Sequence, residues 1–175
     1  MEGLLKSERV RLRALEMSDV DAIFEWDNDT EVWQYGCNSA PYSRHQIENY
    51  IATNTSDIYA DRQLRLMIES TAGERIGVVD LYNFSPFDLR AWVGILIAPE
   101  QRGRGYGVEA VRLIADYAEC YLGLHQLAVE IPVGNERSVR LFEHCGFKQS
   151  GIMRDWLKTG LHYADMLLMQ RVFIR

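Results

Sequence analysis

The chain predicts an α/β fold, and three observations carry that prediction. The run Trp92-Val93-Gly94-Ile95-Leu96-Ile97 reads as a buried strand, and beyond the turn Arg102-Gly103-Arg104-Gly105-Tyr106-Gly107 the residues Val108, Val111, Ala115, Ala118 and Leu122 recur at helical spacing. Segments 64–69 and 75–82, parted by Ser-Thr-Ala-Gly, read as a β-hairpin. Ahead of the hairpin, Ser18 with Asp21 and Ser43 with Gln46 carry the spacing of helix-opening capping boxes. At 175 residues and 47% hydrophobic content the chain suits one domain, 1–175, with a sizeable core. No linker, repeat or low-complexity tract interrupts it.

In order, residues 10–13 form the first strand and Ser18 opens a helix running to about Trp26. Ser43 opens a second helix, to about Asn54, and the hairpin strands follow. Residues 91–98 pair next in the sheet, and the helix after the glycine turn ends near Gly123. Residues 126–131 are the next strand, with Pro132 lacking the amide a further ladder step needs. Asn135 caps a short helix ending at Gly146, and strands over 147–158 and 162–173 turn around Thr159-Gly160.

The glycine turn is where chemistry is expected. A strand, a glycine turn and a helix start aim several backbone N–H groups at one point, at the positive end of a helix dipole, which suits a phosphate or pyrophosphate. Glycine permits close approach and positive φ, and Arg102 and Arg104 add attraction for an anion. A nucleoside-triphosphate loop is excluded because no Lys-Ser/Thr follows Gly107. A dinucleotide fingerprint needs Gly-x-Gly-x-x-Gly after an early strand, and the spacing here is Gly-x-Gly-x-Gly past mid-chain.

A net charge of −6 argues against a nucleic-acid partner. Its distribution is uneven: Glu16, Asp19, Asp21, Glu25, Asp27, Asp29 and Glu31 fall between Ala14 and Ser43 with no Lys or Arg. Asp19 and Asp21 read as first-turn charges that favour the dipole, whereas Glu25, Asp27, Asp29 and Glu31 gain nothing from it. These are either a solvated face or a funnel for a cation. The longest apolar run is far below a membrane span and the first twenty residues are too charged for a secretory signal, so a cytoplasmic, non-membrane protein is expected. Cys37, Cys120 and Cys145 show no metal-ligand pairing and fit a reducing compartment, Cys120 and Cys145 reading as core or rim filler, and the four histidines share no metal spacing. No metal is expected.

Arg102, Gly105 and Gly107 match the Arg/Gln-x-x-Gly-x-Gly/Ala signature of the GNAT superfamily of acetyl-CoA-dependent N-acetyltransferases. The resemblance extends to the segment from Asn135 through Ser138 and Phe142 to Gly146-Phe147. It also covers Val10-Arg-Leu-Arg13 and the tail Trp156 to Asp165, which resemble the Rim-type and spermidine/spermine branch. The resemblance implies a mixed, mostly antiparallel sheet of about seven strands flanked by four helices, splayed between strands four and five. It implies that acetyl-CoA lies in the splay, its pantetheine amides pairing along Ile95, Leu96 and Ile97. Residues Arg102, Gly103, Arg104, Gly105, Tyr106 and Gly107 would cradle the diphosphate, with Asn135 and Ser138 on the pantetheine side.

Direct transfer to an amine makes three demands. The acceptor must lose a proton, at a cost of roughly 4–5 kcal/mol for an alkylamine at pH 7. Asp80 stands where related polyamine enzymes carry a carboxylate, so it is the expected base; its other reading is a solvent-facing strand residue. The backbone N–H of Ile95 or Leu96 is the resemblance's oxyanion donor. The leaving thiolate's acid is unassigned, because Phe142 stands where many relatives place Tyr. Glu25, Asp29, Glu31, Trp33, Tyr35 and Asp80 are the acceptor-side residues, the aromatics either holding an alkylammonium by cation–π contact or simply burying their rings. The leading acceptor is a polyamine. The alternatives are a ribosomal or other protein N-terminus, another small amine, and a non-catalytic acyl-CoA sensor. A homo-oligomer is compatible with the family.

Overall fold

The computed structural model describes residues 3–33 and 40–174. Seven strands form one sheet: β1 (Val10–Ala14), β2 (Leu64–Ser70), β3 (Arg75–Ser85), β4 (Arg90–Ile97), β5 (Gln126–Pro132), β6 (Lys148–Thr159) and β7 (His162–Val172). They lie in the order β1-β2-β3-β4-β5-β7-β6, every pairing antiparallel except β4 with β5. The four expected helices are α1 (Val20–Asp27), α3 (Arg44–Thr53), α5 (Tyr106–Cys120) and α6 (Glu136–His144). Two single-turn helices add to them, α2 (Thr30–Trp33) and α4 (Ile58–Asp61), too short to leave a periodic signal.

The second capping box forms as the spacing predicts: Ser43 accepts from the Gln46 amide and the Gln46 side chain accepts from the Ser43 amide. The first does not. Chain entry to α1 is a 3₁₀ turn, Met17–Asp19, capped by Glu16 with Asp19 reciprocating. Asp19 is therefore no solvated first-turn charge. It is fully buried between Arg13 (2.8 Å) and Arg75 (2.7 Å).

Strand alternation divides the sheet into two faces. Ile76, Val79, Leu81, Ala91, Val93, Leu127 and Val129 pack with Ala110, Val111, Ile114 and Ala118 of α5 and Phe142 of α6 in the main core. Met67 and Val78 on the opposite face pack with Val20, Ile23, Trp26, Ile47 and Ile51 of α1 and α3 in a second core.

The β4–β5 ladder decides where a ligand can enter. Among the described residues it holds three pairs, Arg90 with Gln126, Ala91 with Leu127 and Trp92 with Ala128. Beyond Trp92 the two strands part, β4 continuing against β3 and β5 against β7. The expected splay is there. Among the described residues no helix is long and apolar enough to cross a membrane.

Candidate active site

In an antiparallel ladder successive residues alternate between facing the partner strand and facing away. The Ala98 amide donates to the Ile76 carbonyl, and a Cβ at Gly77 would collide with the Leu96 carbonyl, so the backbone of Leu96 is turned toward β3. The amides and carbonyls of Ile95 and Ile97 are thereby turned into the gap. Of the two expected oxyanion donors, the register puts Ile95 at the gap and directs Leu96 into the sheet, because Leu96 belongs to the hydrogen-bonded set with Val78.

The glycine loop closes one end of the gap. Gly103 and Gly105 have φ of 79° and 83°, and Gly105 is the N-cap of α5. The first i→i−4 bond of α5 runs from the Glu109 amide to the Gly105 carbonyl, so the amides of Tyr106, Gly107 and Val108 have no acceptor within the helix. A Cβ at Gly107 would meet Leu141 Cδ1 at 2.7 Å, so a small residue there also lets α5 and α6 pack. Arg102 is not a freely projecting charge either, since its Nε donates to the Ile97 carbonyl at 3.0 Å, at the mouth of the gap. Arg104 contributes its carbonyl to Arg9, and the Tyr106 ring lies under the Arg9 guanidinium, 5.0 Å away. On the far side, Asn135 caps α6 by accepting from the Ser138 amide at 3.3 Å.

Asp80 is no solvent-facing residue. It lies opposite Gly94 on the face shared with Met67 and Val78, and is largely buried. Arg65 joins it to α1: the guanidinium makes two bonds to Asp27, at 2.9 and 3.1 Å, and its Nε lies 3.5 Å from Asp80 Oδ1. That last approach falls short of a hydrogen bond, and both atoms are without a hydrogen-bond partner among the described residues. Burial pushes the Asp80 carboxyl above the ordinary carboxylate range, Asp27 adding to the rise and Arg65 opposing it.

The same alternation that buries Leu127, Val129 and Ile131 turns Ala128 and Glu130 to the Asp80 face. Glu130 lies two residues beyond the last β4–β5 pair, as Gly94 does on β4. Asp80, Gly94 and Glu130 thus stand at one level on three strands, two carboxylates flanking a bare position across the splay. Burial raises the Glu130 carboxyl as well. A cavity of about 480 Å³ lies at the paired end of the β4–β5 ladder, lined by Arg90, Trp92, Gln126, Ala128 and Gln170 among others.

The acidic stretch is largely paired internally. Glu16 caps, Asp19 and Asp27 hold arginines, and Asp21 pairs with Arg44. Asp29 accepts from the Glu31 amide at 2.9 Å, and Trp33 Nε1 donates to the Asp27 carbonyl at 3.0 Å. Glu25 and Glu31 are exposed, and Tyr35 and Cys37 lie outside the described residues. Phe142 is buried edge-to-face against Phe147, ring centroids 5.1 Å apart, and Cys145 is buried with its thiol pushed up to about 11. Phe142 has no proton to donate, and the Cys145 thiol is turned to the Val108 carbonyl, 3.6 Å away. Cys120 is exposed at the end of α5. Among the described residues no group of three or more His, Cys, Asp or Glu could hold a metal ion. Sequence reasoning missed Arg65, Arg9 and Glu130; an arginine inside the apolar run Leu64–Ile68 was the one available signal.

Residues 9–148 match the model of the acetyltransferase (GNAT) domain. The spermidine N(1)-acetyltransferase of Vibrio cholerae is 26% identical over 160 residues, 91% of each chain. That of Escherichia coli K12 is 29% identical over 156 residues, 86% of this chain and 80% of the other. The crystal structure of the Vibrio cholerae enzyme in complex with CoA and spermine superposes with a TM-score of 0.85 at 26% identity, covering 95% of this chain and 96% of that one. A dodecameric structure of spermidine N-acetyltransferase from the same organism gives 0.80. With this splay, this glycine loop and these matches, the chain belongs to the GNAT acetyltransferase family.

Proposed function

We propose that the chain transfers acetyl from acetyl-CoA to a primary amine of a polyamine such as spermidine or spermine. The observation that carries this reading is the buried Asp80 Oδ1 left without a hydrogen-bond partner beside the splay. Its ion pair with Arg65, at 3.5 Å, falls short of a hydrogen bond, and a buried carboxylate so held suits an incoming ammonium. The relatives acting on spermidine, and the complex with spermine, support the same class of acceptor.

In this reading the diphosphate of acetyl-CoA rests on the amides of residues 103–108, and its pantetheine amides pair with the gap-facing groups of Ile95 and Ile97. Asn135 and Ser138 border that arm. The ammonium enters from the α1 face between Asp80 and Glu130, over Gly94. Asp80, its basicity raised by burial, takes the proton, and the freed nitrogen attacks the thioester carbon. The Ile95 N–H donates to the developing oxyanion, whose collapse expels the thiolate. Glu25 and Glu31, exposed near the end of α1, add negative field for a polycation, whereas Asp29 and Trp33 shape the α1–α2 corner. The same reading treats 1–175 as one acetyltransferase domain located in the cytoplasm. It also takes the chain to be a homo-oligomer, which the dodecameric relative supports and sedimentation would test.

The test is release of free CoA with a panel of amines. Turnover with spermidine and spermine and none with peptides bearing free N-termini is expected. The reverse preference would overturn the polyamine reading in favour of protein N-termini, and binding of acetyl-CoA without turnover on any amine would favour a sensor.

A further inference from the structure

We propose that Arg9 is a positioning residue for the diphosphate loop, an assignment that rests on the acetyl-CoA reading above. Arg9 stands just ahead of β1, far from residues 102–107 in sequence, yet its Nη1 and Nη2 each donate to the Arg104 carbonyl at 3.1 Å. The same guanidinium pairs with Glu109 in the first turn of α5 and covers the Tyr106 ring. Ser7 Oγ donates to the other Glu109 oxygen at 2.8 Å.

Two consequences follow from elementary geometry and charge. A trans peptide is planar, with its C=O and N–H pointing opposite ways. Pinning the Arg104 carbonyl onto Arg9 therefore aims the Gly105 N–H away from β1, with the unpaired amides at the start of α5. A loop whose glycines at 103 and 105 both sit at positive φ has other conformations open to it, and the two-pronged bond selects one. The second consequence is electrostatic. Glu109 lies one turn from the amides that would meet a diphosphate, and left alone it would repel that anion. Arg9 compensates this charge and, with Ser7, holds the carboxylate on the side of β1. A Cβ at Gly105 would come within 3.2 Å of Arg9 Nη2, so the clamp and the glycine are fitted to each other.

The experiment measures acetyl-CoA affinity by calorimetry, and steady-state kinetics with spermidine, for the wild-type chain, Arg9→Ala and Arg9→Lys. Arg9→Ala should weaken acetyl-CoA binding about tenfold, the loss expected for a charge-assisted bond. The KM for the amine and kcat at saturating acetyl-CoA should stay put. Arg9→Lys keeps the charge beside Glu109 but loses the fork, so its affinity should fall between the two. Arg9 is half exposed, and the melting temperature without ligand reports any general loosening. Should the alanine variant not fold, Arg9→Lys carries the test alone. Affinity equal to wild type in the variants overturns the proposal, as does a parallel loss of amine KM and acetyl-CoA affinity. Failure of the wild-type chain to bind acetyl-CoA would instead overturn the reading beneath it.

Discussion

Asp19 is held by two guanidinium groups in a site closed to solvent. Burial alone would raise its carboxyl, but hydrogen bonds from Arg13 and Arg75 outweigh that and hold it at about 2. A carboxyl depressed on folding stabilises the fold above its ordinary value and loses that contribution as pH falls through the folded one. Asp19 should therefore contribute fully above the ordinary 3.8 and progressively less down to about 2. Asp19→Asn should cost about 3 kcal/mol in urea unfolding at pH 7, because it removes the buried charge that Arg13 and Arg75 share, and should flatten the acid limb. Asp80 makes the opposite prediction. Its carboxyl is raised, so turnover should fall on the acid side at a pH above the usual carboxylate range, and Asp80→Asn should abolish that limb and lower kcat about 100-fold or more. A pH–rate profile at saturating acetyl-CoA checks both; an unchanged profile would remove Asp80 from the chemistry. Neither environment was legible in sequence. The partners Arg75 and Arg65 lie 56 and 38 residues from Asp19 and Asp27, and distant pairing leaves no local pattern.

Among the elements, α5 and α6 meet at Gly107 and Leu141, and Phe142 of α6 packs on Phe147 just beyond that helix. Gly107→Ala should press its methyl on Leu141 and lower the melting temperature even without ligand; at Gly103 nothing lies within 4 Å of an added Cβ, and the cost of a substitution there comes from its φ of 79° instead. Phe142→Ala should cost about 3–5 kcal/mol by leaving a cavity against Phe147, measurable by chemical denaturation. A shift within error would mean the ring is not part of the core. At this scale the sequence was most readable. Strands, the long helices and the Ser43 cap follow local rules of spacing and capping, and they stand within a few residues of where those rules put them. The Ser18 cap misled because Ser-x-x-Asp and Glu-x-x-Asp overlap in Glu16-Met-Ser-Asp19-Val-Asp21, and the buried arginine pair decides between them. The contact of Gly107 with Leu141 was hidden for a related reason: helix–helix contact is not local.

Over the whole molecule, a parting of two parallel neighbours in an otherwise continuous sheet turns one strand edge toward a ligand. The glycine loop stands at one end of the opening and two carboxylates stand on its α1 face. The splay itself follows from the family resemblance, not from any single residue, since ladder length depends on pairs such as Trp92 with Ala128, which are distant in sequence. The negative net charge and the exposed Glu25 and Glu31 favour a cationic acceptor, and raising ionic strength should increase the KM for spermidine more than that for a monoamine. All of this stands on the cradle at the start of α5, which calorimetric titration with acetyl-CoA tests most directly. Saturable one-to-one heat, with a melting temperature that climbs with ligand concentration, is the predicted result. Neither heat nor thermal stabilisation at millimolar acetyl-CoA would contradict the account.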